Sequence, residues 1–547
     1  MDAQKIRLFL LIGLFLLGFT LYGTWQQDYP TESQTRETQT EQSVVPQASN
    51  PSSSRDPVAA EMAQPALSKP ILVETDVAKY QIDLNGGDLI RAELMKYPES
   101  EKQQDKGYLL LAEMDKRHYV AQSYLISDNH VGPDSYTGQR GQFRAQSEKY
   151  VLAAGQNELI VDLVLEHQSD LKFIKRYHFY ANQYLIDVEY IIENNTPNPW
   201  NGKLFYQLKR QYVGEKNGFM GVQLYQGGAY FTPETPFNKI SFDKMKKQPL
   251  NTEIQGGWVA LLEHYFLSAW IPDATKPYHF YTKVESSDVY KIGAYAEVNA
   301  LPQSTARIKS RLYVGPEVIS DLKEISPGLN LTVDYGILWP ISQLLFWLLK
   351  NIHEFVGNWG VAIILVTMVI KLAFYKLSAA SYRSMGHMRR VQPQIQALKE
   401  RHGEDKQQFS QAMMALYRKE KINPLGGCLP ILLQIPVFIA LYYVLLESVE
   451  LRQSPFIFWI TDLASKDPFY ILPLVMGATM FVQQKLSPAP PDPMQAKMMM
   501  LMPIVFTFLF MGFPSGLVLY WTVNNILSIL QQWYITRSLE KEGLKRA

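Results

Sequence analysis

The chain has 547 residues, enough for several domains. Its 53 lysine and arginine residues nearly balance 52 aspartate and glutamate residues, and the net charge of +1 excludes the overall basic character of a nucleic-acid-binding protein. A single cysteine, Cys428, excludes a disulfide framework and a cysteine metal cluster.

The first 27 residues predict a membrane anchor. Lys5 and Arg7 precede an apolar run that ends near Tyr22, and no small-residue cleavage motif follows closely. We therefore expect residues 1–27 to remain as a transmembrane segment with a cytoplasmic N-terminus. Residues 28–68 are rich in Gln, Thr, Ser, Pro and Glu, which predicts a flexible polar tether outside the cytoplasm.

Residues 69–334 predict a large all-β domain. Segments such as ILVETDVAKYQIDL and NELIVDLVLEH alternate apolar and polar residues, as half-buried strands do. Turn signals separate the segments, at Asn85-Gly86-Gly87, Asn195-Thr196-Pro197 and Gly227-Gly228. The pattern favours a mainly antiparallel sandwich of two sheets. Its histidines and carboxylates show no catalytic spacing, and its aromatic residues fit a core better than a ligand platform.

Residues 335–357 predict an amphipathic helix lying in the outer membrane interface. The apolar stretch is short, and Pro340 interrupts it. If this segment crossed the membrane, the next span would lead outward and the basic region after it would lie outside, against the positive-inside rule.

Residues 358–377 predict the second span, and Lys371 lies inside it. A charge at bilayer depth costs several kcal/mol and calls for a partner or a wet cavity. At helical spacing, Thr367 and Ser378 are expected on the same face as Lys371. Two interpretations stay open at this point: a functional cavity, or a lysine that snorkels to the nearby membrane surface.

Residues 378–422 predict a cytoplasmic helical hairpin, because they carry many lysine and arginine residues and few acids. Apolar residues recur every three or four positions, at Met385, Met388, Val391, Ile395 and Leu398, and again at Phe409, Met413 and Leu416. Each arm is expected to be about 30 Å long. The basic residues form a solvated face, or contact lipid headgroups or ribosomal RNA.

Four more apolar segments complete six predicted spans, with both chain ends in the cytoplasm. The spans cover residues 423–446, 469–485, 497–512 and 514–534. They are joined by a periplasmic loop at 447–468 and a cytoplasmic loop at 486–496, and a cytoplasmic tail covers 535–547. Two of the spans are short for a bilayer core of about 30 Å, which implies local thinning.

Amide side chains enter the predicted bundle at Gln434, Gln484, Asn524 and Asn525. Buried amides often only join helices, but together with Lys371 they favour a wet cavity. No histidine falls within a predicted span, and there is no intramembrane aspartate pair and no serine with a plausible base. This pattern argues against an intramembrane protease and a carboxylate proton relay. We expect no enzyme, no cofactor and no metal.

Several motifs resemble one family over essentially the whole chain. They are NPLGGCLPILLQIPVFIALYYVL (423–445), SVELRQSPF (448–456), DPFYILPLVMG (467–477), DPMQAKMM (492–499) and FPSGLVLYW (513–521), together with a basic residue in the first span of the bundle. These motifs are similar to those of the YidC/Oxa/Alb family of membrane protein insertases, in its Gram-negative form with a large periplasmic domain.

The resemblance implies a polytopic α-helical protein of the bacterial inner membrane, with a five-helix core and a periplasmic β-supersandwich akin to sugar mutarotases. It also implies a hydrophilic groove open to cytoplasm and lipid. Lys371 would supply the groove charge, where the family usually has arginine, and lysine lacks the guanidinium fork. Lys376 is a second departure, at a position where relatives often have proline. Polar lining would come from Thr367, Gln434, Gln484, Trp521, Asn524 and Asn525, and a substrate helix would slide along Ile435, Phe438, Met502 and Phe506.

The implied partners are nascent membrane proteins, ribosome–nascent chain complexes, the Sec translocon with its accessory subunits, and membrane lipids, with no specific nucleic acid sequence. Two rival functions remain at this stage. A small-solute transporter or channel predicts an inverted repeat, which the sequence lacks. An envelope binding protein predicts that activity depends on residues 70–330 and not on Lys371.

Overall fold

The computed structural model describes residues 69–114, 117–127, 132–135, 138–167, 170–212, 225–285, 288–402, 405–420, 429–487 and 493–544. The predicted anchor at 1–27 and tether at 28–68 lie outside the described residues.

The first half of the described chain forms two packed β-sheets. The strands are β1 Ile71–Glu74, β2 Ala78–Asp83, β3 Asp88–Ser100, β4 Gln103–Met114, β5 Arg117–Ser127, β6 Arg144–Ala145, β7 Lys149–Val151, β8 Glu158–His167, β9 Leu171–Tyr180, β10 Leu185–Asn194, β11 Trp200–Gln211, β12 Gly227–Tyr230, β13 Asn238–Ile240, β14 Asn251–Gln255, β15 Val259–Glu263, β16 Phe266–Pro272, β17 Pro277–Glu285, β18 Val289–Ala300 and β19 Ser304–Pro316. The ten-stranded sheet has the order β14-β17-β18-β11-β5-β4-β3-β2-β1-β7, and the nine-stranded sheet has the order β13-β12-β15-β16-β19-β10-β9-β8-β6. Among these strand pairs, β1 and β7 are parallel and the others are antiparallel. The predicted β-rich domain is confirmed.

Alternation along the strands builds the core between the two sheets. In β1 every second residue is buried, so Ile71 and Val73 point inward. Trp270 of one sheet meets Tyr206 of the other, with 5.0 Å between ring centroids. Each large side chain buried in this way contributes about 1.5–3 kcal/mol to folding.

The sequence predicts turns at two glycine pairs, and only one of the two pairs forms a turn in the structure. Gly86 and Gly87 form a true turn, with φ angles of 88° and 65°, which other residues rarely adopt. Gly227 and Gly228 instead begin strand β12, so the predicted turn there is wrong. A Cβ on Gly228 would contact the side chains of Met245, Ile240 and Ile292, so a larger residue fits only if they move.

The second half is helical, as predicted. Two short helices accompany the β domain, α1 Phe242–Lys247 and α2 Ile319–Ile325. The helical part comprises α3 Trp339–Val356, α4 Trp359–Ala373, α5 Tyr375–Arg390, α6 Gln392–His402, α7 Lys406–Lys419, α8 Leu429–Glu447, α9 Ile471–Leu486, α10 Pro493–Phe510 and α11 Ser515–Leu544. One apolar cluster joins α3, α4, α8, α9, α10 and α11.

Within the described residues, no single helix combines the length and hydropathy expected of a membrane crossing. Helices α4 and α5 meet that test only as a pair, and the pair is bent by 69°. Shorter apolar helices run over Gln434–Glu447 and Ala496–Phe510.

The bend corrects one prediction. Helix α4 ends at Phe374, so Ser378 lies on α5 beyond the bend and does not continue the helical face of Thr367 and Lys371. Helices α4 and α5 both lie against α11 on either side of the bend, so tertiary packing supports the change of direction. The residue spacing of a single straight helix does not predict the bend between α4 and α5.

The predicted hairpin is formed by α6 and α7, but its first arm is not continuous. The arms meet through buried Val391, Ile395 and Tyr417, with Met388, Phe409, Met413 and Leu416 packed around them. The helix is interrupted between α5 and α6 at Val391, two residues before Pro393. Pro393 has no N–H to donate to the carbonyl oxygen of Arg389, so the helical hydrogen bonding of α5 does not continue here. Pro393 lies in the first turn of α6, where that N–H is not needed.

The β domain is joined to the helical part by direct contacts. Val449, just after α8, packs into the core between the sheets. The Arg452 guanidinium donates to the carbonyl oxygen of Pro98 at 2.9 Å, and the His264 Nε2–H donates to that of Leu446 at 2.8 Å. These contacts hold the end of α8 against the β domain.

Candidate functional site

The amino group of Lys371 is held between two helices. Lys371 lies near the C-terminal end of α4, is half-buried, and donates from Nζ to Oγ of Ser528 on α11 at 2.7 Å. Ser528 in turn donates to the backbone oxygen of Asn524 at 2.7 Å. Among the ion pairs of the described residues, none involves Lys371. An ammonium has three donors, so this geometry leaves donors for another group.

Ser528 is a site residue that the sequence interpretation missed. It is 1% exposed, and the hydroxyl of buried Tyr382 on α5 also hydrogen-bonds to it. The signal was present in the sequence, because Ser528 follows Asn524 by four residues and therefore lies on the same helical face. Its pairing with Lys371, 157 residues away, is a tertiary contact.

A polar stripe runs along α11 and contacts the neighbouring helices. We define the polar stripe as Thr522, Asn524, Asn525, Ser528 and Gln532, all of which are buried. Asn524 Nδ2 donates to Oε1 of Gln434 on α8 at 3.4 Å, and Asn525 Nδ2 donates to Oγ1 of Thr479 on α9 at 3.1 Å. Gln532 Nε2 donates to the backbone oxygen of Leu486 at 2.9 Å. The stripe thus links α11 to both α8 and α9.

The remaining predicted polar residues divide into two kinds. Thr367 is buried, and its hydroxyl donates to Ile363 of the same helix at 2.7 Å, so its hydrogen bond is internal to α4. Gln484 and Trp521 differ, because Oε1 of Gln484 and Nε1 of Trp521 are buried without a hydrogen-bond partner in the structure. An unpaired buried polar group costs about 1–3 kcal/mol, and Oε1 of Gln532 is a third such atom in this part of the structure.

We call the four predicted slide residues the apolar surface; two of them are exposed and two are partly buried. Ile435 and Met502 are 45% and 46% exposed. Phe438 and Phe506 are partly buried and meet through Phe510, with ring centroids 6.2 and 6.1 Å from it. Phe510 therefore joins the two phenylalanines, while the side chains of Ile435 and Met502 remain open at the surface.

Phe438 also connects the apolar surface to the polar stripe. Its ring meets the Trp521 indole edge-on at 4.6 Å, and Trp521 precedes the polar stripe directly. On α10, Leu501, Ile504, Val505 and Phe508 are all more than half exposed and extend the apolar surface. An amphipathic segment would therefore find polar partners and apolar contacts side by side.

Buried acids at the joint with the β domain form a separate electrostatic feature. Burial, and then the Asp334 carboxylate, raise the pKa of Glu447 to about 8, with Lys239 acting in the opposite direction. Burial, and then Glu447, raise the pKa of Glu317 well above its usual value. The sequence interpretation took Glu447 only as a loop charge, because its burial depends on the β domain packed beside it.

Two family models together match most of the chain. The model for the 60Kd inner membrane protein matches residues 351–542, and the model for the YidC periplasmic domain matches residues 70–348. The boundary between the two models, at residues 348–351, falls within α3.

Individual relatives match over nearly the full length. The membrane protein insertase YidC of Stutzerimonas stutzeri is 48% identical over 552 residues, covering 98% of each chain. That of Legionella pneumophila strain Paris is 49% identical over 551 residues, covering 99% of this chain and 98% of the relative. A solved structure of an active YidC insertase, with its first transmembrane domain resolved, covers 87% of this chain at 19% identity and a TM-score of 0.39.

The family models and the relatives identify an inner membrane protein with a periplasmic domain. The chain belongs to the YidC family of membrane protein insertases. The resemblance inferred from the sequence motifs is confirmed, and these relatives are named as insertases, not as enzymes, transporters or binding proteins. The roles of the individual site residues stay predictions.

Proposed function

We propose that this chain inserts nascent inner-membrane proteins through a hydrophilic groove whose charge is Lys371. One observation carries the proposal: the Lys371 amino group is held by Ser528 between α4 and α11, with donors left for another group. A snorkelling lysine would extend to the membrane surface and would not be tied to a buried serine.

The groove charge would attract acidic residues in the short polar tail of a substrate. Two unit charges about 4 Å apart attract by about 1 kcal/mol in water and about 4 kcal/mol near a protein surface. Moving an acidic residue to the bilayer centre costs about 2.5–3.5 kcal/mol on insertion scales. The attraction therefore offsets most of the cost of bringing one acidic residue part-way across.

The polar stripe would receive the backbone and uncharged side chains of the same tail. The unpaired atoms of Gln484 and Trp521 offer one acceptor and one donor. The Gln434–Asn524 contact is long at 3.4 Å and gives way at low cost to a substrate group. Thr367, which bonds within its own helix, would serve only as part of the wall.

The apolar surface would then pass the substrate helix to lipid. Ile435, Phe438, Met502 and Phe506 lie beside the polar groups, so a helix would leave the groove without crossing water. Each leucine, isoleucine, phenylalanine or valine contributes about 0.3–0.6 kcal/mol at mid-bilayer, which sums to roughly 6–12 kcal/mol for a span of about 20 such residues. This exceeds the residual cost of the tail, so insertion needs no nucleotide.

The membrane topology of the chain and its contacts with partners belong to the same proposal. Six spans with both termini in the cytoplasm would place α5 to α7 inside and the β domain in the periplasm, with α3 in the outer interface. Exposed Arg383, Arg389, Lys399 and Arg401 on α5 and α6 would contact ribosome–nascent chain complexes. The β domain would contact the Sec translocon and its accessory subunits from outside, and the apolar belts of the helices would contact membrane lipids.

The test is insertion by the purified full-length chain in proteoliposomes that contain no other protein. The substrate is a short single-span protein with an acidic tail, and inserted tails are scored by protection from added protease. We expect protection in these vesicles, without nucleotide, well above that in protein-free vesicles of the same lipids. Equal protection in the two preparations would contradict the proposal.

A further inference from the structure

A cavity lies where the chain passes from the β domain to α3. Its volume is about 430 Å³, within the range of small-ligand pockets. The walls come from the β12–β13 connection, from the segment after α2 and from the first turn of α3. The site described above does not include it.

Two opposite charges lie side by side in this cavity. Lys239 and Asp334 form an ion pair, yet their side chains are 32% and 45% exposed. Lys239 Nζ also lies 4.6 Å from the centre of the Tyr225 ring, and Asp334 Oδ1 accepts from the backbone N–H of Gly336 at 2.8 Å. Both ions are thus fixed in place while part of each remains open to a ligand.

The rest of the cavity is amphipathic in the manner of a membrane surface. Asn330 and Gln343 supply amide groups, and Leu331 and Trp339, which are 39% and 56% exposed, supply apolar walls. The exposed apolar surface continues outward through Ile337 and along α3. A ligand with a charged head and an apolar tail would match this order of groups.

We propose that this cavity binds the head group of a zwitterionic phospholipid such as phosphatidylethanolamine. The lipid ammonium would lie against Asp334 and the Trp339 ring, and its phosphate against Lys239 and the Asn330 amide. The inference rests on the proposed position of α3 in the outer membrane interface. It goes further by naming the ligand class and the residues that bind it.

Charge complementarity selects this occupant over the alternatives. An anionic phospholipid would satisfy Lys239 but place uncompensated negative charge beside Asp334. Free phosphate or a free head group would leave the apolar walls at Leu331 and Trp339 without contacts. Bound lipid would tie the β domain to the membrane surface at the point where the chain enters the helical part.

The test measures lipids retained by the full-length protein on release from nanodiscs, by native mass spectrometry. The nanodiscs contain equal amounts of phosphatidylethanolamine and phosphatidylglycerol. We expect wild type to retain phosphatidylethanolamine at least about fivefold over phosphatidylglycerol, and Lys239→Met and Asp334→Asn to lose this preference. The matched control Lys246→Met breaks an exposed ion pair with Asp288 elsewhere on the β domain and should behave as wild type.

A second arm adds soluble glycerophosphoethanolamine to protein in detergent, and we expect no retention because the acyl chains are missing. Trp339→Ala removes an exposed ring without breaking the ion pair, and keeps the test informative if a charge variant misfolds. Equal retention of both lipids by wild type, or an unchanged preference in Trp339→Ala and in the folded charge variants, would overturn the inference. The insertion assay on the same preparations separates the two proposals, because lost preference with intact insertion leaves the groove account unaffected.

Discussion

Ser528→Ala is expected to weaken insertion of substrates with acidic tails. The change removes the oxygen that accepts from Lys371 Nζ at 2.7 Å. A hydrogen bond to a charged group contributes about 1.5–3 kcal/mol, and the lower end applies here because Lys371 is half-buried and water would replace part of the bond. A loss of about 1.5 kcal/mol corresponds to an about tenfold smaller population of the ammonium held in the groove.

The assay compares insertion rates of two substrates that differ only in an acidic or a neutral tail. We expect Ser528→Ala to lower the insertion rate of the acidic-tail substrate by up to about tenfold and that of the neutral-tail substrate by much less. The control is Ser342→Ala, which removes another buried serine hydroxyl of the helical core, one that donates to the Ala440 carbonyl at 3.1 Å. That variant should affect both substrates equally.

A double-variant cycle shows whether the serine acts through the lysine. In the Lys371→Ala background, Ser528→Ala should cause no further loss, because the contact it supports is already gone. An unchanged ratio of acidic to neutral insertion in Ser528→Ala, or additive losses in the double variant, would refute this reasoning.

Two further predictions concern stability. Burial raises the pKa of Glu447 to about 8 in the folded protein. Protonated Glu447 therefore stabilises the fold fully below about pH 4.5, and this stabilisation is lost as the pH rises through about 8. The thermal unfolding midpoint should fall between about pH 6 and about pH 9, and it should fall less in Glu447→Gln. Asp467 is buried and accepts from the backbone N–H groups of Phe469 and Leu472 and from the Trp459 indole, at 2.9, 2.7 and 3.1 Å. Asp467→Ala should lower the free energy of unfolding by about 2–4 kcal/mol in a denaturant titration, and a loss below about 0.5 kcal/mol would contradict this role.

Local patterns carried most of the fold. Alternation marked strands such as β1, and apolar runs marked the helices of the core, because burial of one face imposes its period on the sequence. Local patterns gave wrong predictions where packing between distant segments determines the structure. Gly228 lies in a strand because β12 pairs with β13 and β15, and α4 and α5 meet at a bend where both lie against α11.

The candidate site shows the same division. Lys371, Gln434 and Asn524 were found because polar residues are costly in apolar segments and therefore conspicuous. Ser528 was missed because a serine is common in membrane helices, and its importance lies in a contact across 157 residues. Thr367 bonds to its own helix, and such a threonine looks the same in sequence as one whose hydroxyl lines a cavity, so its role in the groove stays a prediction.

The central claim is that Lys371 acts as the groove charge, and one measurement tests it directly. Wild type, Lys371→Arg and Lys371→Ala are compared in cells depleted of their own insertase, with matched acidic-tail and neutral-tail substrates scored by external protease. We expect Lys371→Arg to support insertion of both substrates and Lys371→Ala to lose the acidic one selectively. Normal insertion of the acidic substrate by Lys371→Ala would contradict the electrostatic mechanism, even though membership of the insertase family would stand.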